Sequence, residues 1–314
     1  MRDAFTRALH RLAAADPNLI LVTGDLGFGV LKPFWTDFPK QFLNAGIAEQ
    51  AMTGMAAGLA LSGKTVFTYS IGTFPTLRPL EQIRNDCAYH RANVKVVCVG
   101  GGFVYGALGM SHHATEDMAI LRALPDVAVF TPGDPVEVEA VVPALYRHEG
   151  ACYLRLGRGG EPRLHDGPLR DYKVGQLLPM MPAGEGTELA ILSAGGILTQ
   201  AKEAALALNA QGVRCALYSL PTLKPLDGEA IRALAARVPH LITLEEHTII
   251  GGLGGAVCEA LGEMSGPRAQ VTRIGMPDCY SSVVGDQQYL RAYYGLDGAG
   301  VVKRALRLVR SSYV

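Results

Sequence analysis

Apolar and polar positions along this chain alternate between two kinds of block. Short, largely apolar runs at 19–22, 64–69, 94–99, 126–130 and 151–156 predict strands buried on both faces. Between them, helical spacing predicts helices over 2–15, ended by Asp16-Pro17, and over 47–61. Further helices are predicted after Pro79 and over 118–124 and 135–147. From about 157 to 186 the period is lost among Gly, Pro and scattered charge. A second series then begins, with strands at 189–192, 214–218 and 241–245 and helices near 197–210, 228–237 and 252–264. A last helix is predicted from its cap Asp297 to about 309. Alternating buried strands and helices predict an α/β fold of two three-layer α/β domains with mainly parallel sheets. The expected domains are 1–160 and 188–314, joined by a linker over 161–187.

The 47–61 block is unusual. Between Ile47 and Leu61 it has no proline and no charge except Glu49. Gly54, Ala57, Gly58 and Leu61 share one face at helical spacing, which predicts close approach to a neighbouring surface. A lone carboxylate on such a helix costs several kcal/mol unless something accepts it. Glu49 therefore needs a partner from outside the helix.

Composition narrows the function. Of 314 residues, 49% are hydrophobic and 18% charged, and the mean hydropathy is +0.18, more apolar than an ordinary soluble monomer; burial between subunits is expected. Lys+Arg and Asp+Glu both number 29, so the formal charge is zero, which argues against general affinity for nucleic acid or anionic membranes. No apolar run is long enough to span a membrane, and the N-terminus opens an amphipathic pattern instead of a signal-peptide core. The six cysteines are scattered without a CxxC pair, the pattern of reduced thiols in a cytoplasmic protein.

Candidate chemistry sits at the predicted strand ends. Thr23-Gly24-Asp25-Leu26-Gly27 is a glycine-rich turn where open α/β sheets bind ligands, though it lacks a dinucleotide fingerprint. His112, His113, Glu116 and Asp117 could suggest a metal, but adjacent histidines on a loop rarely face one ion, so no metal ligand is expected here. A histidine at a glycine-rich strand end can instead bond a substrate or shuttle a proton. No Gly-x-Ser-x-Gly elbow or P-loop occurs. Arg155 and Arg158, in Tyr-Leu-Arg-Leu-Gly-Arg-Gly-Gly, are candidates for an anion such as phosphate. Glu245-Glu246 before Gly251-Gly252-Leu253-Gly254-Gly255 disfavours an anion there, and those glycines predict close packing.

In order and spacing, these stretches resemble the transketolase superfamily of thiamine diphosphate enzymes. They are Gly24-Asp25-Leu26, Gly46-Ile47-Ala48-Glu49-Gln50, Tyr69-Ser70 with Thr73-Phe74, Gly109-Met110-Ser111-His112, Glu116-Asp117, Leu220 to Asp227 and Glu245 to Gly255. The resemblance covers nearly the whole chain and implies a pyrimidine-binding domain followed by the family's C-terminal domain. It implies that Glu49 bonds a nitrogen of the cofactor's aminopyrimidine and sets its active tautomer, with Phe74 stacking on that ring. Asp25, Ile47 and Tyr69 match positions beside the cofactor; His112 matches a histidine facing the substrate, with His113 beside it. Arg158 matches an arginine holding a sugar phosphate, and Arg155 lies near it.

The family's diphosphate-binding domain carries a Gly-Asp-Gly motif that holds Mg²⁺, and this chain has none. The resemblance is thus to the C-terminal subunit of a split transketolase, whose separate N-terminal subunit supplies the Mg²⁺ ligands. An α2β2 heterotetramer is the expected assembly, active in ketol transfer between sugars or sugar phosphates only as a complex. Two departures stand out. Leu108 replaces an aspartate that reads a sugar hydroxyl, and Gly100-Gly101-Gly102 replaces a charged residue for the acceptor phosphate. The glycines predict extra space for an unusual acceptor. A 2-oxo acid dehydrogenase β subunit, a deoxyxylulose-phosphate-synthase-like enzyme and a non-catalytic binding subunit are the competing readings.

Overall fold

The structure, a computed structural model, describes residues 1–311. In the first half, β1 (Leu19–Thr23), β2 (Phe42–Asn44), β3 (Thr65–Ile71), β4 (Val94–Val99), β5 (Val127–Phe130) and β6 (Ala151–Leu156) form one sheet. They are all parallel, in the spatial order β5-β6-β4-β3-β1-β2. The second half contributes β7 (Leu178–Met181), β8 (Leu189–Ala194), β9 (Cys215–Ser219), β10 (Thr222–Lys224), β11 (His240–Thr248) and β12 (Gln270–Met276). Five of these make a second sheet in the order β12-β11-β8-β9-β7, parallel except for β7. The remaining strand, β10, crosses to the first sheet and pairs antiparallel with β5.

The largely apolar runs became interior strands for the expected reason. Every residue of β1, β4, β5, β6 and β8 is buried. The one cation among the β4 residues, Lys95, donates from Nζ to the carbonyls of His148 and Gly150 at 2.5 and 2.8 Å, so a buried strand can carry it. On one face of the first sheet, helices Arg2–Ala15 and Pro135–Arg147 bury Phe5, Leu9, Val138 and Leu145. On the other, helix Glu49–Leu61 buries Met52, Ala56 and Ala57, and this core runs on without a break into Leu220, Ile231 and Leu253 of the second half. No helix among the described residues is long and apolar enough to cross a membrane.

Some expectations shift. The helix expected from 47 starts at Glu49. Its small-residue face divides: Ala57 packs inward, while Gly54 and Gly58 have nothing of this chain above them. The stretch expected to be linker contains β7, whose pattern is too short and half-exposed to show a period. β2, β10 and β12 and the short helices Lys32–Asp37 and Gln287–Tyr293 also lacked a readable pattern. β12 is an edge strand with mostly exposed or half-buried positions, which removes the apolar signature.

Candidate active site

Parallel strands deliver their carboxyl ends to one edge of the sheet, and β2, β1, β3 and β4 are neighbours there. After β2 the chain turns at Gly46, where φ is +73°, a backbone that disfavours any side chain, and enters the Glu49 helix. Glu49 lies in the first turn with 4% of its surface exposed, while Ile47 just before it is 78% exposed. After β3, a loop carries Phe74 and Arg78. After β4, a longer loop carries His112.

These side chains form a continuous row. Arg78 Nη1 donates to Glu49 Oε2 at 3.1 Å and approaches Oε1 at 3.3 Å. The Arg78 guanidinium lies over the Phe74 ring, with Cζ 3.9 Å from the centroid. Phe74 meets the His112 ring edge-on, with centroids 5.1 Å apart. Thr73 Oγ1 donates to the Ser111 carbonyl at 3.0 Å, and Ser111 Oγ pairs with His112 Nδ1 at 3.0 Å, so the two loops hold each other in register. Gly72 is required where they cross, since a Cβ there would stand 3.0 Å from the His112 carbonyl at a φ of +54°. At the end of β1, Asp25 adopts φ +58° and exchanges two bonds with Asn44, its N–H to Oδ1 at 3.0 Å and its Oδ1 from Nδ2 at 2.9 Å.

Glu49, Phe74 and His112 are thus brought together, and the partner that Glu49 needed is Arg78. Sequence reasoning missed this arginine. Its signal was a cation four positions beyond Phe74, on the loop that follows the strand beside a lone carboxylate.

Three expected site residues lie elsewhere. Tyr69 is buried in the opposite layer, its ring stacked on Phe5 at 6.1 Å, and burial raises its hydroxyl pKa; its side chain is not on the Glu49 face. His113 is 3% exposed, bonds the Gly106 carbonyl through Nε2 at 3.2 Å and meets Phe103 edge-on at 5.2 Å, so it does not join His112. Arg155 is committed within the core: Nε donates to Asp117 at 2.8 Å, and Nη2 to the carbonyls of Ala114 and Glu246 at 2.8 and 2.9 Å. Glu116 bonds its neighbour Thr115 at 2.9 Å, so the four residues that could have suggested a metal turn to four different partners. Arg158, by contrast, is exposed, 5.9 Å from the Tyr105 ring, at the mouth of a cavity of about 490 Å³ between the halves, which Arg155 also borders.

The glycines of β4's end stand against large side chains, and Gly101 also lines that cavity. A Cβ on Gly100 would meet the Tyr105 ring at 2.2 Å, on Gly101 the Arg155 side chain at 2.6 Å, and on Gly102 the Glu246 carboxylate at 2.6 Å. Gly102 lets the halves close on each other, while Gly100 and Gly101 make room for Tyr105 and Arg155 of the first half. Glu246 accepts from Phe103 N at 2.6 Å, Arg291 Nε at 2.6 Å and Gln287 Nε2 at 2.9 Å. Glu245 caps helix Leu253–Gly262 by accepting from the N–H groups of Leu253 and Gly254 at 2.7 and 2.8 Å, while burial pushes its pKa up to about 7. Burial holds His247 down to about 4, hence neutral, consistent with Nε2 accepting from Ala119 N at 3.3 Å. The Glu245 to Gly255 run is a packing device, as the acidic pair suggested.

One buried cluster, Asp134, Glu137 and His165, has the residue types of a metal site. Its geometry is that of an ion-pair bridge: His165 Nδ1 faces Asp134 at 3.3 Å and Nε2 faces Glu137 at 3.5 Å, so opposite nitrogens of one ring serve different carboxylates.

Residues 1–161 match the family model of the transketolase pyrimidine-binding domain, and residues 182–301 that of the transketolase C-terminal domain. The chain is 38% identical to one subunit of the Phocaeicola vulgatus apulose-4-phosphate transketolase, over 98% of this chain and 97% of that one. It is 35% identical to a putative transketolase C-terminal section of Methanocaldococcus jannaschii, over 98% and 95% of the two chains. A solved structure of a split-gene transketolase in an inactive β4 tetramer superposes with a TM-score of 0.88 at 34% identity, covering 98% of each chain. With strand ends that gather Glu49, Phe74 and His112 in one row, and with both domain models matched in order, this chain belongs to the transketolase family.

Proposed function

We propose that this chain is the pyrimidine-binding and C-terminal subunit of a two-chain transketolase, transferring a two-carbon ketol unit from a ketose or ketose phosphate to an aldehyde. The observation that carries the reading is the Glu49–Arg78–Phe74 row. Glu49 and Phe74 already receive a flat, nitrogen-rich cation, the Arg78 guanidinium, which donates to Glu49 while lying over Phe74. An aminopyrimidine makes the same two demands, so the residues fit thiamine diphosphate. Bound, the cofactor would supply the electron sink for cleaving a C–C bond beside a carbonyl. In this reading Glu49 holds a proton at one carboxylate oxygen against the pyrimidine, Phe74 and Ile47 contact the ring, and Asp25 lies beside it. His112 presents its imidazole to the substrate, and Arg158 holds a phosphate at the cavity mouth. Mg²⁺ and the diphosphate are assigned to a separate N-terminal subunit, because this chain lacks Gly-Asp-Gly. We assign the complex an α2β2 form and, with all six cysteines free, a cytoplasmic location.

The test is reconstitution with the diphosphate-binding subunit, thiamine diphosphate and Mg²⁺, assayed for ketol transfer from a ketose phosphate. The chain alone should be folded and inactive. Glu49→Gln in the complex should lower kcat by about 10²-fold or more, the range for losing a positioned proton donor. Activity without a partner, activity that survives Glu49→Gln, or CO₂ release from a 2-oxo acid with lipoyl reduction would sink the proposal.

A further inference from the structure

We infer that Arg78 is a placeholder: its guanidinium fills the slot that an aminopyrimidine would take against Glu49 and Phe74, and it must leave for the cofactor to enter. This rests on the functional reading above and adds a step to it. The argument is one of shared surfaces. Arg78 Nη1 reaches both oxygens of Glu49, at 3.1 and 3.3 Å, so the carboxylate is engaged by the arginine. Its Cζ stands 3.9 Å from the Phe74 centroid, in contact with the ring face, so no second ring fits between them. A heterocycle that stacks on this face of Phe74 and bonds Glu49 therefore competes with the guanidinium for both contacts.

Arg78 is built to move. Its side chain is 48% exposed, against 5% for Glu49, so one side of the guanidinium faces solvent. The backbone stays anchored: the Arg78 carbonyl accepts from Gln50 Nε2 at 3.3 Å, and buried Pro79 follows. Displacement then needs only rotation of a long side chain about a fixed point. The placeholder also answers the difficulty that Glu49 poses. A buried carboxylate awaiting a ligand would be costly to leave unpaired, and Arg78 pairs it until the ligand arrives. A half-exposed ion pair and one cation–π contact are each weak, so the occupant can be displaced.

Titration calorimetry of thiamine diphosphate with Mg²⁺ into the reconstituted complex tests this. Arg78→Ala removes the competitor, and the cofactor Kd should fall about tenfold, the sum of one weak ion pair and one cation–π contact. Arg78→Lys keeps a charge for Glu49 but cannot lie flat on Phe74, so its Kd should fall between the two. In the chain alone Arg78→Ala should lower Tm by leaving Glu49 unpaired, and in the complex saturating cofactor should erase the difference. If wild-type complex binds cofactor and both variants bind it no more tightly, Arg78 is not a placeholder and the functional reading stands. If wild-type complex binds none, the functional reading fails and takes this inference with it.

Discussion

At the scale of single residues, two arginines three positions apart at the end of one strand have opposite roles. Arg155 is 4% exposed and tied to Asp117 and two carbonyls, so removing its charge strands a buried carboxylate. Arg155→Met should cost about 3–5 kcal/mol of stability, read as a lower denaturation midpoint, because breaking one side of a buried pair leaves the other uncompensated. Arg158 is exposed and touches little besides the Tyr105 ring at 5.9 Å. Arg158→Ala should leave the midpoint within about 0.5 kcal/mol of wild type. In the reconstituted complex it should raise KM for a phosphorylated substrate about tenfold with kcat nearly unchanged, the mark of a lost charged contact made equally in ground and transition states. An unchanged KM would remove Arg158 from the substrate site. The sequence Tyr-Leu-Arg-Leu-Gly-Arg-Gly-Gly shows two similar cations. What separates them is Asp117, 38 positions away, and no local pattern announces that partner.

At the scale of elements, the segment joining the halves is fastened to helix Pro135–Arg147. Asp134 caps that helix by accepting from Glu137 N at 2.7 Å, and its other oxygen accepts from Leu164 N at 2.7 Å and faces His165 Nδ1 at 3.3 Å. Burial alone would lower the pKa of His165, but the bond to Asp134 and the charge of Glu137 outweigh it and leave the value raised. Burial likewise pushes Glu137 up to about 7. A histidine whose folded pKa is raised contributes stability that is full below its ordinary 6.5 and is lost as pH rises through the folded value. His165→Gln should therefore cost about 1 kcal/mol at pH 6 and less at pH 9, read from urea midpoints at the two values. Equal losses at both would mean that His165 acts only by packing. Elements like this one also mark what was legible beforehand. β1, β4, β6 and β8, buried along their whole length, could be read from composition because both faces select apolar residues. β2, β7, β10 and β12 could not, being short or lying at a sheet edge where one face need not be apolar. Glu49 was legible as a lone carboxylate on an uncharged helix, His112 by its glycine-rich strand end and Phe74 only through the family resemblance, whereas Arg78 was not legible, because its role exists only once two loops are packed side by side.

At the scale of the whole molecule, one core cluster runs through both halves, and Glu246 joins them through Phe103 N, Gln287 and Arg291. The chain is thus a single block, and its apolar excess shows where that block ends. Helix Glu49–Leu61 turns Met52, Ala56 and Ala60 to the core, yet on its other side Met55 is 43% and Leu61 60% exposed. Gly54 and Gly58 share that helix, with nothing beyond it within 4 Å of an added Cβ. Glycines inside a helix cost about 1 kcal/mol each relative to alanine, so two on one bare face need a compensating contact, and close approach of another subunit is one. Both are free to carry a side chain in the isolated chain, since neither has a positive φ. Gly58→Leu should therefore leave Tm of the chain alone unchanged or slightly higher, by up to about 1 kcal/mol of helix propensity. The same substitution adds bulk beside the exposed Met55 and Leu61 and should weaken assembly at least about tenfold, the scale of a steric clash worth about 1.4 kcal/mol or more. Sedimentation of the chain with and without the proposed diphosphate-binding partner measures this directly. Assembly at wild-type strength would mean that the Glu49 helix faces solvent in the complex, and Glu49 would then reach a cofactor held by another chain from some other side.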